Sequence, residues 1–293
     1  MKPRLLIIGA TGFVGSHWAR AAADGFDVWR ASRHPDDDPQ SLAIDITEPP
    51  SVDRAFESAR PDFVTLLAAL SDIDRCQQQR ALAEAINHHG AANVARRCAA
   101  DGARLLFTST DAVFDGTQGP YREDDPPTPP NWYGETKARA ERAIAEVSPD
   151  AAIVRLSLVL GHSARPGGNS YLDKVAGNLR AGNQIISPTF ELRNPIDVGT
   201  LCSILAELTA CREATGIFHV GASDKISRYD LARAIALRLD ADPALVVAQS
   251  EPVPGRAPRG ADDFLASTRL PEHCPTPLPT CAQVLDRALA SKG

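Results

Sequence analysis

Four consecutive apolar residues, Leu5-Leu6-Ile7-Ile8, form a run that stops at Gly9. A run with no polar alternation predicts a strand covered on both faces, as in a parallel sheet. Residues 13–23 are alanine-rich and predict a helix. Further strands are predicted at 26–31, 42–44 and 63–68, and a long helix at 79–100. A strand at 104–108, a helix at 132–146 and a strand at 152–159 continue the alternation. This order predicts an α/β protein built on a doubly wound parallel sheet with right-handed crossovers.

After Gly161 the pattern breaks. Residues 164–170 are polar and glycine-rich and read as a loop. Helices are predicted at 171–180, 198–208 and 229–239, and a short strand at 216–220. Residues 251–279 are proline-rich and read as mostly irregular, and the prolines of 124–130 predict a stiff, extended connection. No repeat or low-complexity tract is present. The second half is too broken to repeat the first and predicts a smaller cap, interleaved with the sheet.

Composition narrows the function classes. The chain has 293 residues, 43% hydrophobic and 23% charged, which is globular. A formal charge of −6 with scattered basic residues argues against a nucleic-acid binder or an anionic-membrane surface. The short N-terminal apolar run is no signal peptide, and no stretch approaches the roughly 18 apolar residues of a membrane span. A cytoplasmic protein is expected. The six cysteines are dispersed without a CxxC and read as reduced, mostly buried thiols. No His/Cys/carboxylate cluster has metal-ligand spacing, so no metal is expected. His88-His89 lack a third ligand or carboxylate partner in the sequence and read as a solvated or packing pair, and Asp36-Asp37-Asp38 reads as a solvated loop.

The segment Gly9-Ala10-Thr11-Gly12-Phe13-Val14-Gly15 follows the first strand and opens the first helix. Gly9 permits the tight turn, Gly12 admits a pyrophosphate to the backbone, and Gly15 lets helix and strand pack closely. The helix N-terminus attracts the phosphate charge. Residues 1–160 therefore read as a Rossmann dinucleotide domain, with 191–220 returning to it, and 161–190 plus 221–293 as a substrate-binding cap. At the end of the second strand, Ser32-Arg33 stand where NAD-binding chains place an acid for the ribose 2′-hydroxyl. A hydroxyl and a guanidinium suit a 2′-phosphate, which predicts NADP, with NADPH preferred over NADH. Asp45-Ile46 are placed to meet the adenine edge.

Tyr133 and Lys137 lie one helical turn apart on one face. A free phenol ionises near pH 10; bringing it to neutrality takes about 4 kcal/mol, which a lysine ammonium and an oxidised nicotinamide can supply. Thr110 ends a strand at the carboxyl edge of the sheet, where open α/β sheets bind ligands.

The chain resembles the extended short-chain dehydrogenase/reductases, and within them the dTDP-4-dehydrorhamnose reductase group. The resemblance runs through most of the chain: Leu67-Ala68-Ala69, 71–76, Asn87, the run Ser109-Thr110-Asp111-Ala112-Val113-Phe114-Asp115-Gly116, Tyr121, Glu123 and 133–137. Weaker matches follow at 155–157, 193–195, 257–259 and 265–270. It implies reduction by NADPH of the 4-keto group of a nucleotide-activated deoxysugar. By position, Thr110 would polarise the ketone, Tyr133 deliver the proton, and Lys137 hold the nicotinamide ribose. Ala68 and Ala69 would line the cofactor and Asn87 would sit in the cofactor-side helix. Relatives are commonly dimers, although no long apolar helix face here requires a homodimer. Two positions depart from the group: Ala112 stands where it usually has Tyr, and Leu158 where it usually has Trp. Both would lie near the sugar, and their loss removes aromatic surface. The absence of Glu at 112 argues against a 4,6-dehydratase.

The substrate pocket is expected between the sheet edge and the cap, with Thr110 and Tyr133 as floor, Ala112, Leu158 and Asn169 in the walls, and Arg193 on the diphosphate. Two other readings share the fold: an NAD(P)-dependent sugar-nucleotide epimerase, and a non-catalytic NADP-binding regulatory subunit like the methionine adenosyltransferase β subunit.

Overall fold

The N-terminal apolar run forms β1 (Arg4–Ile8), with Leu5 and Ile7 in one core and Leu6 and Ile8 in another. This two-sided burial is why the run carries no polar alternation. The computed structural model describes residues 1–164 and 168–290; the loop expected at 164–170 thus lies partly outside the described residues, at 165–167.

The chain continues through α1 (Phe13–Ala22), β2 (Asp27–Ser32), β3 (Ser41–Ala43), α2 (Pro49–Ala59) and β4 (Phe63–Leu66). Next come α3 (Ile73–Gln78), α4 (Arg80–Ala83), a π-helical segment at Glu84–Gly90, α5 (Ala91–Asp101), β5 (Arg104–Thr110) and α6 (Trp132–Val147). Then follow β6 (Ala152–Leu156), β7 (Val159–Leu160), α7 (Tyr171–Arg180), β8 (Ile185–Pro188), β9 (Leu192–Arg193), β10 (Ile196–Asp197) and α8 (Val198–Ala210). The described chain ends with β11 (Gly216–Val220), β12 (Ile226–Ser227), α9 (Arg228–Arg238), β13 (Val246–Gln249) and α10 (Cys281–Ala290).

Seven strands form one parallel sheet in the order β11-β6-β5-β4-β1-β2-β3. Helices α1 and α8 cover one face around Trp18, Leu201 and Leu205. Helices α2, α5 and α6 cover the other around Phe56, Val94 and Ile144. The strand order reverses between β1 and β4, which opens a crevice at their carboxyl ends. A separate core joins α7, α9 and α10 through Leu172, Leu231, Ile235 and Leu285. Three two-stranded pairs, β7–β10, β9–β12 and β8–β13, knit the second half together.

Several predicted elements change. The helix expected at 79–100 starts earlier and is broken: Asp72 caps α3 by accepting from the Arg75 amide, Gln79 (φ −116°, ψ 58°) interrupts it, and a π turn precedes α5. The strand expected at 152–159 stops at Leu156, and β7 pairs with β10 instead. Helix α2 is an additional element that opens on Pro49-Pro50, which as its first two residues need no intrahelical donor. Helix α10 and the β8–β13 pair were hidden by the proline-rich tail and by short strand length.

Candidate active site

The glycine loop is shaped by close backbone approach. A Cβ on Gly15 would stand 2.2 Å from the Gly9 carbonyl oxygen, so only glycine lets α1 start against the loop. Gly12 is the N-cap of α1, with no side chain between the helix N-terminus and the crevice. Helix α6 is fixed similarly. The Asn131 side chain accepts from the Gly134 amide at 2.9 Å, and a Cβ on Gly134 would lie 1.9 Å from the Ala112 carbonyl oxygen. The first turn of α6, with Tyr133, therefore rests on the segment that follows Thr110.

A cleft of about 470 Å³ opens at this edge. It is lined by Gly9, Gly12, Phe13, Val14, Gly15 and Ala69 on the loop side, and by Thr110, Ala112, Tyr133 and Lys137 in the middle. Leu158, Asn169 and Arg193 line its far side. The remaining candidates lie off the cleft. Thr11 is exposed on the loop, and the Ala68 amide donates to the Ile8 carbonyl at 3.1 Å. Ser32 is buried, with a hydroxyl that has no hydrogen-bond partner, and Arg33 is exposed beside it. Asp45 accepts from the Thr47 amide and hydroxyl at 2.9 and 2.7 Å, bonds that hold its carboxyl below the usual range with help from Arg33. Ile46 is buried, its side chain fills the space a Cβ on Gly90 would need, and its carbonyl accepts from Asn93 Nδ2 at 2.9 Å.

The Thr110 hydroxyl donates to Asp111 Oδ1 at 3.1 Å and accepts from the Ala112 amide at 3.1 Å. Thr110 and Tyr133 line the same cleft. Lys137 is buried, donates from Nζ to the Thr108 carbonyl at 2.8 Å, and lies 3.9 Å from the centre of the Phe107 ring. Burial brings its ammonium down to about 7, against the opposing pull of Glu141. Burial also pushes the Tyr133 phenol up, against the opposing influence of the neighbouring Thr110 hydroxyl. In the free chain desolvation thus outweighs the phenolate-favouring charges expected from the sequence: the phenol is held protonated. Asn87 links this region from below, accepting from the Leu70 amide at 2.8 Å and donating to the Leu70 carbonyl at 3.1 Å and to Thr136 Oγ1 at 3.2 Å.

Arg193 lines the cleft, but its guanidinium is engaged within the chain. Its guanidinium is buried in internal contacts: Asp263 at 3.0 Å, Asp111 at 3.7 Å, Glu191 at 4.0 Å, and the carbonyls of Leu192 and Gly260. With three carboxylates around it, it has little left for a diphosphate. Burial raises the Asp263 carboxyl to about 8, with Arg193 opposing and Asp111 and Glu191 adding to the rise. Two further cations, not singled out by the sequence, line the same cleft: Arg228, whose Nε is buried without a partner and which stacks 4.3 Å from the Tyr171 ring centre, and Arg256. Arg256 has only long contacts, 3.5 Å to Glu191 and 3.9 Å to Asp74. Arg259, quoted only as part of a weak match, also lines the cleft but is held by both oxygens of Asp74. Arg228 opens α9 and Arg256 and Arg259 lie in an irregular segment, so no shared period marks them and only the fold gathers them.

The His88-His89 reading also changes. Glu84 supplies the carboxylate missing from the sequence argument, with its Oε1 2.8 Å from His88 Nδ1. Among the described residues no helix is long and apolar enough to cross a membrane.

The geometry has counterparts. Residues 2–292 match the family profile described as the RmlD substrate binding domain. A dTDP-4-dehydrorhamnose reductase of Mycolicibacterium smegmatis is 33% identical over 99% of this chain and 86% of its own. Methionine adenosyltransferase 2 subunit beta of Pongo abelii is 30% identical over 80% of this chain and 71% of its own. A crystal structure of dTDP-4-dehydrorhamnose reductase from Bacillus anthracis in complex with NADP superposes with a TM-score of 0.89 at 25% identity, covering 99% of each chain. A seven-stranded parallel sheet, a glycine loop at its switch point and a match across nearly the whole length agree: the chain belongs to the dTDP-4-dehydrorhamnose reductase family of extended short-chain dehydrogenase/reductases.

Proposed function

We propose that the protein reduces, with NADPH, the 4-keto group of a nucleotide-activated deoxysugar. The observation that carries this reading is the meeting of the glycine loop with Thr110, Tyr133 and Lys137 in one cleft. The residues fit the dinucleotide: the α1 N-terminus is open to an anion, and the buried Ser32 hydroxyl lacks a partner beside the exposed Arg33. Gly12 and Gly15 would hold the pyrophosphate, Ser32 and Arg33 the 2′-phosphate, and Lys137 the nicotinamide ribose. When bound, the dinucleotide supplies the hydride that adds to the carbonyl carbon.

The chain's own residues then handle the oxygen. Thr110 turns its hydroxyl proton from Asp111 to the ketone oxygen and polarises it. Tyr133 gives its proton to the oxygen as negative charge develops there. A phenol held protonated by burial suits this direction of reaction, because the reduction consumes a proton. Lys137 in its ammonium form stabilises the phenolate left behind.

On the substrate side, Ala112, Leu158 and Asn169 form the sugar walls. Arg228 and Arg256 replace Arg193 as the cations for the diphosphate, since their guanidinium groups are less fully engaged. With Ala112 and Leu158 small or non-polar, the pocket is wider and less polar than one lined by Tyr and Trp, and it favours a bulkier or differently substituted 4-keto sugar.

The resemblance to methionine adenosyltransferase 2 subunit beta keeps a second reading, a cofactor-binding regulatory subunit. The near-ultraviolet absorbance of NADPH separates the two. Stoichiometric oxidation of NADPH with a 4-keto sugar nucleotide supports the reductase; NADPH binding without consumption across dTDP, UDP and GDP 4-keto sugars overturns it.

A further inference from the structure

The π-helical segment Glu84–Gly90 does something an α-helix would not. In an α-helix, position i+5 lies about 140° around the cylinder from i. The wider π winding, bonded from i to i+5, brings positions four and five ahead to the two sides of the starting residue. Glu84, His88 and His89 are so arranged. One ligand atom from each lies within 4.8 Å of the other two. Glu84 Oε1 stands 2.8 Å from His88 Nδ1 and 4.0 Å from His89 Nε2, and the two imidazoles stack with centres 4.6 Å apart. The second carboxylate oxygen, Oε2, is buried and has no hydrogen-bond partner.

We propose that Glu84, His88 and His89 bind one divalent transition-metal ion of the zinc class, at a site apart from the reductase cleft. Two imidazoles and one carboxylate are a mixed nitrogen and oxygen set, which zinc accepts with a further position open to water. Magnesium, which demands oxygen ligands and strict octahedral geometry, is poorly served. The side chain of His89 is 62% exposed, so the water side of the ion is open. The ion would replace the present hydrogen bond between His88 and Glu84.

One group opposes the ion. Arg139 Nη1 lies 3.2 Å from Glu84 Oε1. This guanidinium has other partners: its Nε donates to Glu135 at 2.7 Å, and it lies 5.2 Å from the Trp132 ring centre. It can leave Glu84 without becoming an unpaired charge. The site rests on neither Tyr133 nor Lys137, so it stands or falls separately from the reductase reading.

The test is calorimetric titration of untagged, chelator-stripped full-length protein with Zn(II), with Mg(II) in parallel. Zn(II) is expected to bind in one equivalent, Mg(II) to give no heat, and His88→Ala and His89→Ala each to weaken Zn(II) by about tenfold or more. Arg139→Ala is expected to tighten it. Thermal melts without metal check folding, and His89→Ala alters an exposed side chain, so it keeps the test valid if His88→Ala misfolds. The cysteines are the rival zinc ligands, for example Cys211, with Sγ 3.9 Å from His273 Nδ1. Co(II) distinguishes them, because only a thiolate site shows an intense sulfur-to-metal band. Absence of Zn(II) binding, unchanged affinity in both histidine variants, or a Co(II) spectrum dominated by that band overturns the proposal.

Discussion

Lys137 Nζ donates to the Thr108 carbonyl oxygen at 2.8 Å, tying the first turns of α6 to the carboxyl half of β5. The contact leaves a primary amine buried beside the Phe107 ring, with Glu141 as the acid that raises its proton affinity. Its value of about 7 lies well below the usual range for lysine. Between pH 7 and about 10 the unfolded chain therefore holds a proton that the folded chain has released, and stability from this group rises with pH. Below pH 7 both states hold the proton and the burial cost is fully present.

Lys137→Met should remove that cost. The cofactor-free variant is expected to be more stable than wild type by about 1–4 kcal/mol at pH 6, with a smaller gain at pH 9. Turnover should be lost. Denaturant melts at the two pH values check it, and an equal change at both would show that the lysine is charged in the fold throughout.

Tyr133→Phe should lower turnover roughly 10²–10⁴-fold, the range for a lost general acid. NADPH binding should survive, since the phenol is assigned to the ketone oxygen rather than to the ribose. Single-turnover kinetics with fluorescence-monitored NADPH binding makes the measurement; near wild-type turnover would remove Tyr133 from the mechanism.

Arg33→Ala should weaken NADPH by about 1.5–3 kcal/mol, as for a hydrogen bond to a charged group, and leave NADH nearly unchanged. Ser32→Ala should act in the same direction, because its buried hydroxyl has no partner within the chain. Equal losses for the two cofactors would show that this corner does not read the phosphate.

Arg228→Ala and Arg256→Ala should each raise the KM for a nucleotide sugar, by about 1.5–3 kcal/mol of lost binding, with little effect on NADPH affinity. An Arg193→Ala variant should lose stability instead, because it removes the one guanidinium set among Asp263, Asp111 and Glu191 and leaves these acids to repel one another. A KM effect confined to Arg193 would return the diphosphate to that residue.

Turnover of dTDP-4-dehydrorhamnose should be weaker than that of 4-keto sugars with larger or different substituents, and Ala112→Tyr should narrow the range accepted. Efficient and selective use of dTDP-4-dehydrorhamnose by the wild-type chain would make the two departures neutral.

What could be read along the chain is what neighbours in sequence decide. Leu5 to Ile8 announce a strand buried on both sides, and the Gly9–Gly15 spacing announces a phosphate-binding turn, because each depends on backbone geometry within one element. The one-turn spacing of Tyr133 and Lys137 is likewise a property of α6 alone. What the tertiary structure decided depends on packing between distant segments. Arg193 is enclosed by Asp111 and Asp263, residues far from it in sequence, and Arg228 and Arg256 reach the cleft from irregular or terminal positions with no period to betray them. The π winding that gathers Glu84, His88 and His89 interrupts a helix between Gln79 and α5, and no apolar period distinguishes it from α-helix. Periodicity reports which face of an element is buried; which charges meet across elements follows only once the layers have packed.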